Sequence, residues 1–235
     1  MPDHDLPPFV LSPAPVIPER AGTLDIYRPS GNGPWPAVLF VHGGPGRPEP
    51  SPRDWPVYRG YAAEVAVRSV VAGVVDHCLI HGTTPELIAQ ADSEVTAAVE
   101  QLRAADGVDE KRIALWFFSG SGLLVAPWLD AHPSWLRCIA ATYPRFCPRD
   151  DLPPDMPAAV DAIARAPHPP VVLTSVGRER PELAEAVDAF IKAADETVTV
   201  IDVPNGQHGF DCLDHTEESR SAVRAAIDAV TGHLA

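Results

Sequence analysis

Ser119 closes the run Arg112-Ile113-Ala114-Leu115-Trp116-Phe117-Phe118 and is followed by Gly120-Ser121-Gly122. A buried strand that breaks at a serine into a tight turn, then a helix, leaves that hydroxyl exposed at the end of a sheet, the layout of a nucleophile elbow. A serine hydroxyl attacks poorly unless a neighbouring base takes its proton. His208, in Asn205-Gly206-Gln207-His208-Gly209-Phe210-Asp211, follows the last expected strand in a glycine-bounded loop. Its Nε2 is the expected base, which later returns the proton to the leaving group. An acid must orient that ring. Glu179, in Gly177-Arg178-Glu179-Arg180-Pro181-Glu182, follows the preceding strand at the matching place. Glu182 falls in the first turn of a helix, where the helix dipole alone accounts for an acidic residue. The arginines flanking Glu179 would equally suit a surface ion pair.

Upstream lies His42-Gly43-Gly44-Pro45-Gly46, directly after the first buried strand. Glycines let the backbone turn sharply and aim N–H groups into a cleft, where two donors can hold the oxyanion of a tetrahedral intermediate. Pro45 has no N–H, so Gly44 is the expected donor from this loop and Gly120 the second. Without chemistry, the same segment reads as a glycine-rich connection. An elbow also needs small residues two before and two after the serine. Ser121 meets this need and Phe117 does not. Ser121 is therefore a competing nucleophile, with Ser119 two before it, but Leu123 two after fits worse. His42, Arg145 and Phe146 are candidate substrate contacts, and Arg145 could pair a substrate carboxylate. Asp76, His77 and His81 follow the second core strand. Their spacing allows a metal, although a pocket wall or a hydrogen-bonding role accounts for them as well; no metal and no cofactor are expected.

These residues need strands to carry them. Continuous apolar runs at Trp35–Val41, Ser69–Val75, Ile113–Phe118, Arg137–Tyr143, Val171–Val176 and Thr197–Val203 predict buried strands. Between them lie helical stripes. Tyr58, Tyr61, Ala62 and Val65 form one; Ile88, Ala91, Val95, Ala98, Val99 and Leu102 another, over 85–104. Further helices are expected over Gly120–Asp130, from Pro181, and from about Glu217. Apolar strands alternating with amphipathic helices imply an α/β fold, a mostly parallel sheet covered on both faces. Phe9–Leu11 and Thr23–Tyr27 read as edge strands or an arm.

The 235 residues suit one domain spanning 1–235, with a proline-rich arm over 1–20. Residues 145–170 are proline-rich with a short helical piece at Ala158–Ala166, and read as a lid, a pocket wall or a plain connection. The net charge of −14 repels phosphate backbones and anionic surfaces, so neither nucleic acid nor a membrane is an expected partner. It leaves a small-molecule substrate open, and the oligomeric state unknown. Cys78, Cys138, Cys147 and Cys212 form no C-x-x-C pair. With no basic, apolar leader at the start and no run of membrane-spanning length, a cytoplasmic protein is expected.

The segments HGGPG, RIALWFFSGSG, VGRERPEL and NGQHGFD, in that order, resemble the α/β-hydrolase superfamily, and within it the compact dienelactone-hydrolase-like members. The resemblance covers about residues 20–232. It implies no large cap domain, and a Ser119, Glu179, His208 triad in the fold's own chain order. HGGPG also occurs in proline iminopeptidases, whose large helical cap has no room here. Phe117 and Ser121 stand where glycine is usual, and Glu179 where Asp is commoner. The expected activity is hydrolysis of a carboxylic ester or lactone through an acyl-enzyme on Ser119. Two alternatives stand beside it: elimination, cyclisation or C–C cleavage using the same His–acid pair, and non-catalytic ligand binding.

Overall fold

The computed structural model describes residues 6–146, 152–153, 155–165, 167–194 and 196–235. Its centre is one eight-stranded sheet. The hairpin β1 (Glu19–Ala21) and β2 (Leu24–Tyr27) forms one edge. Then come β4 (Val71–Val75), β3 (Trp35–Val41), β5 (Val108–Phe118), β6 (Leu136–Thr142), β7 (Val171–Arg178) and β8 (Val198–Gln207). β2 runs antiparallel to β4, and every pairing from β4 to β8 is parallel.

Parallel strands need long crossovers, and helices supply most of them. α1 (Pro56–Ala66) links β3 to β4, and α2 (Pro85–Arg103) links β4 to β5. α3 (Val125–Ala131), α4 (Ala159–Ile163) and α5 (Pro181–Ala193) follow β5, β6 and β7. α6 (Phe210–Leu213) and α7 (Glu217–His233) end the chain. Thr84 starts α2 by accepting the N–H of Leu87 at 3.4 Å, with Pro85 pre-set for the first turn. Thr216 caps α7 in the same way through Ser219.

The alternation of side chains along a strand divides the core in two. Leu39, Val41, Leu115, Phe117 and Leu173 face α2 to α5. Val38, Phe40, Ala114, Trp116 and Phe118 face α1, α6 and α7. The whole expected stripe of α2 is buried, each large side chain contributing about 1.5–3 kcal/mol. With both faces covered, the central strands end at a common rim, and the chemistry-bearing residues sit at their C-terminal ends.

Several expectations are adjusted. The segment after Ser119 is a 3₁₀ helix, Ser119–Leu124, before α3 begins. β8 runs four residues past Val203 to Gln207, which delivers His208 straight from the sheet. Phe9–Leu11 is buried but not a strand; it packs as an arm against α1. The helical piece near 158 spans Ala159–Ile163, and Ala166 lies outside the described residues, as do Cys147 and part of the 145–170 segment. Cys78, Cys138 and Cys212 are free thiols. Among the described residues no helix is long and apolar enough to cross a membrane.

Candidate active site

β5 ends at Phe118, and Ser119 turns the chain with φ of 50°. A non-glycine residue in the left-handed region costs on the order of 1–3 kcal/mol and persists only where its surroundings hold it. The hold is visible. Ser121 Oγ accepts the N–H of Phe118 at 2.8 Å and lies 2.8 Å from Val41 O and 2.9 Å from Phe118 O. Its hydroxyl, fully buried, is spent inside the turn. Ser121 therefore braces the elbow.

The turn that follows β3 meets the elbow at glycine atoms. A Cβ on Gly120 would stand 1.7 Å from Gly44 O, and one on Gly43 would stand 2.9 Å from Ser119 Cβ. Gly44 is hemmed in on its other side, where a Cβ would lie 2.3 Å from Leu79 O. This is the close approach that the sequence pattern assigned to position 117. Phe117 instead points into the core on the α2 side, fully buried, so its bulk never enters the contact.

Ser119 Oγ lies 2.7 Å from His208 Nε2, and His208 Nδ1 lies 2.5 Å from Glu179 Oε2. An ionised carboxylate only accepts, so Nδ1 carries the hydrogen and Nε2 is free to accept from the serine. The second Glu179 oxygen accepts the N–H of Arg180 at 2.8 Å, and the side chain is only 5% exposed. Burial pushes the Glu179 carboxyl up, but the His208 and Arg180 hydrogen bonds outweigh it and hold the group below its ordinary value. Arg180 stands 3.9 Å away and is 63% exposed, a weak surface partner. Glu182 is 68% exposed and among the described residues pairs only with Arg180.

The Gly43 N–H donates to Tyr58 Oη at 2.9 Å, which removes it from the donors available to a ligand. Gly44 N–H has no acceptor among the described residues. Gly120 is the second residue of the 3₁₀ helix, ahead of its first internal bond. The two expected amides are thus uncommitted and adjacent.

Three candidate contacts fall differently. His42 is fully buried and stacked on His77, ring centres 3.8 Å apart. Its Nδ1–H donates to Gly43 O at 2.6 Å, and its Nε2 accepts the N–H of His77 at 3.3 Å. Burial pushes His42 down to about 4 and His77 well below its ordinary value, so both rings are neutral. Both His42 nitrogens are engaged, and the ring supports the turn. Phe146 is 5% exposed and stacks on Phe190 at 4.5 Å, so it too belongs to the core. Arg145 stays at the site: its N–H donates to Ser119 O at 2.7 Å, and its guanidinium bonds Thr83 Oγ1 at 3.1 Å. No carboxylate pairs with it among the described residues.

Asp76 accepts from Ser51 and Arg53, each at 2.6 Å. With His77, His81 and Glu94 it lines a cavity of about 480 Å³. Among the described residues no group of three or more His, Cys, Asp or Glu side chains is placed to hold a metal. Asp211 carries no motif of its own in the sequence. Its fully buried carboxylate accepts from Tyr143 Oη at 2.8 Å and Tyr61 Oη at 3.1 Å. Its closeness in sequence to His208 was the only signal.

No protein-family model matches the sequence, and no curated protein matches it. Solved structures do. The native form of a thermophilic esterase from the planctomycete Thermogutta terrifontis, Est2, superposes with a TM-score of 0.72 at 20% identity, covering 98% of this chain and 97% of that one. Its butyrate-bound form gives 0.71 at 19% identity, with 96% of each chain covered. The form phosphonylated by cyclosarin gives 0.69 at 18%, covering 96% and 97%. Sheet order, the strained serine after β5 and near-complete superposition agree: this chain has the α/β-hydrolase fold.

Proposed function

We propose that this protein is a serine hydrolase of carboxylic esters. The observation that carries the reading is the unbroken line Ser119 Oγ, His208, Glu179, with links of 2.7 and 2.5 Å. Ser119 attacks the substrate carbonyl as its proton passes to His208 Nε2, and Glu179 steadies the resulting imidazolium. The N–H groups of Gly44 and Gly120 receive the oxyanion. Collapse of the tetrahedral intermediate expels the alcohol, which takes the proton from His208. Water, deprotonated by the same ring, then attacks the acyl-enzyme, and the acid leaves with Ser119 restored. No step calls for a metal or cofactor.

The neighbours sharing the fold support this reading, since the Thermogutta esterase has been obtained butyrate-bound and phosphonylated by cyclosarin. The dienelactone-hydrolase-like subtype is proposed from the four motif segments, and Arg145 is in keeping with it. Arg145 follows β6, its backbone is bonded to Ser119, and its guanidinium has no carboxylate partner among the described residues, which suits an ester or lactone that carries its own carboxylate. Phe117, which stands where glycine is usual, is packed in the core and favours no second reading.

An organophosphonate probe tests the proposal. Peptide mapping is expected to place the adduct on Ser119, and Ser119→Ala to abolish both labelling and ester turnover. An adduct on Ser121, or equal labelling of the Ala variant, overturns it.

A further inference from the structure

His208 has a second carboxylate behind it. Tyr143 follows β6, and its ring lies against the His208 imidazole, centres 4.8 Å apart. Its hydroxyl is held by both oxygens of Asp211 at 2.8 Å. Tyr143 also has φ of 37°, a left-handed conformation that a bulky residue adopts only under constraint. The constraint is the Asp211 clamp at one end and the β6 ladder at the other. Asp211 itself is fixed from several sides. Tyr61 of α1 donates to it at 3.1 Å, and its carbonyl accepts the N–H of Val10 at 2.9 Å. A fully buried carboxylate on two phenols, pressed through one of them onto the base, is more than packing requires, since an apolar side chain would fill the space without desolvating a charge.

We propose that Asp211 is a positioning residue for the reaction: its anion, acting through Tyr143, sets the orientation and electrostatic surroundings of His208, and the site works fully only when Asp211 is ionised. The inference rests on the serine-hydrolase reading above. The groups facing Asp211 are Tyr58 and Tyr61 from α1, Tyr143 after β6, His208 after β8, and Cys212 beside it on α6. The tyrosines are pushed far above their ordinary range by burial, as is Cys212, so none of them loses a proton near neutrality. Burial raises Asp211 to about 6, against the pull of the Tyr143 and Tyr61 hydrogen bonds and the nearby His208. Between pH 7 and pH 5 the carboxylate therefore changes charge within the range where the reaction is expected to respond to pH.

The experiment follows the rate of labelling by a fluorophosphonate against pH, with peptide mapping. In that step the Ser119 Oγ–P bond forms, the P–F bond breaks, fluoride departs and the serine proton passes to His208. In the wild type the logarithm of the rate is expected to fall below about pH 6 with a slope steeper than one. Asp211→Asn is expected to label several-fold more slowly at pH 7.5 and to fall with a slope of one. Tyr143→Phe is expected to behave like Asp211→Asn. Tyr61→Phe, which removes a bond outside the path to His208, is expected to keep the steep limb. Circular dichroism of each variant confirms folding. A slope of one in the wild type, or the same limb in the wild type and in both Asp211→Asn and Tyr143→Phe, overturns the proposal. Absence of any Ser119 adduct in the wild type instead overturns the hydrolase reading.

Discussion

Two buried titratable clusters flank the Ser119–His208–Glu179 line. Beneath the glycine turn, His42 and His77 stack face to face as neutral rings, their pKa values driven down by burial. Beneath His208, Asp211 sits among tyrosines with its pKa driven up by burial, to about 6. Desolvation disfavours the charged form in both, but that form lies on opposite sides of the titration. As pH falls from 6.5 to about 4, the unfolded chain takes a proton that folded His42 refuses, so stability is lost across that window. As pH falls from about 6 to 3.8, folded Asp211 takes a proton before its unfolded counterpart does, so stability is gained. Each effect is about 3 kcal/mol in full. One side of the site is weakened by acid and the other relieved by it, and His77, also held down by burial, adds to the weakening.

The largest expected effect comes from cutting the line both clusters serve. Glu179→Gln keeps the shape but removes the charge and the tautomer lock on His208. It should lower kcat by about 10,000-fold, as at the orienting acid of a Ser-His-Asp triad, measured with a small chromogenic ester. Gly120→Ala strikes the turn side alone. Its Cβ cannot coexist with Gly44 O, so displacement of the oxyanion donors should lower kcat by roughly 100- to 1,000-fold, with KM far less changed. Removing one titrating partner separates the opposed windows. Urea unfolding of Asp211→Asn at pH 6.5 and pH 4 should show a loss across that interval larger than the wild type's by about 2 kcal/mol. Equal losses would show that Asp211 does not titrate there. The smallest effect tests the brace: Ser121→Ala should cost about 1–3 kcal/mol in stability while kcat changes only a few-fold. A collapse of activity with stability intact would return Ser121 to the chemistry.

The line itself was legible because each member is announced locally. Ser119, Glu179 and His208 all stand just past an apolar run, beside glycine or a helix-starting proline, and parallel strands bring such positions to one rim. What lay beyond reach was pairing across distance. Asp211 carries no pattern of its own; its partners Tyr61 and Tyr143 stand 150 and 68 positions away, and no periodicity links them. The His42–His77 stack was nearer to legibility. Val41 and Val75 are register partners on adjacent parallel strands, and the two histidines follow them by one and two residues. Only the register, which the sequence does not state, turns two candidate ligand contacts into one buried support. Phe117 misled because the rule asks for small residues near the serine, whereas the strand sends position 117 to the opposite face from its neighbour Phe118.

The arm before β1 does more than lead into the sheet. Phe9 sits 4.8 Å from the Tyr61 ring and fills the space over Gly60, where a Cβ would come within 2.1 Å of it. Trimming the chain back to its first strand would open that flank, wetting the phenol that helps hold Asp211 and giving water a route toward the floor of the histidine. An extension fused at the front is harmless only if it leaves this plug seated.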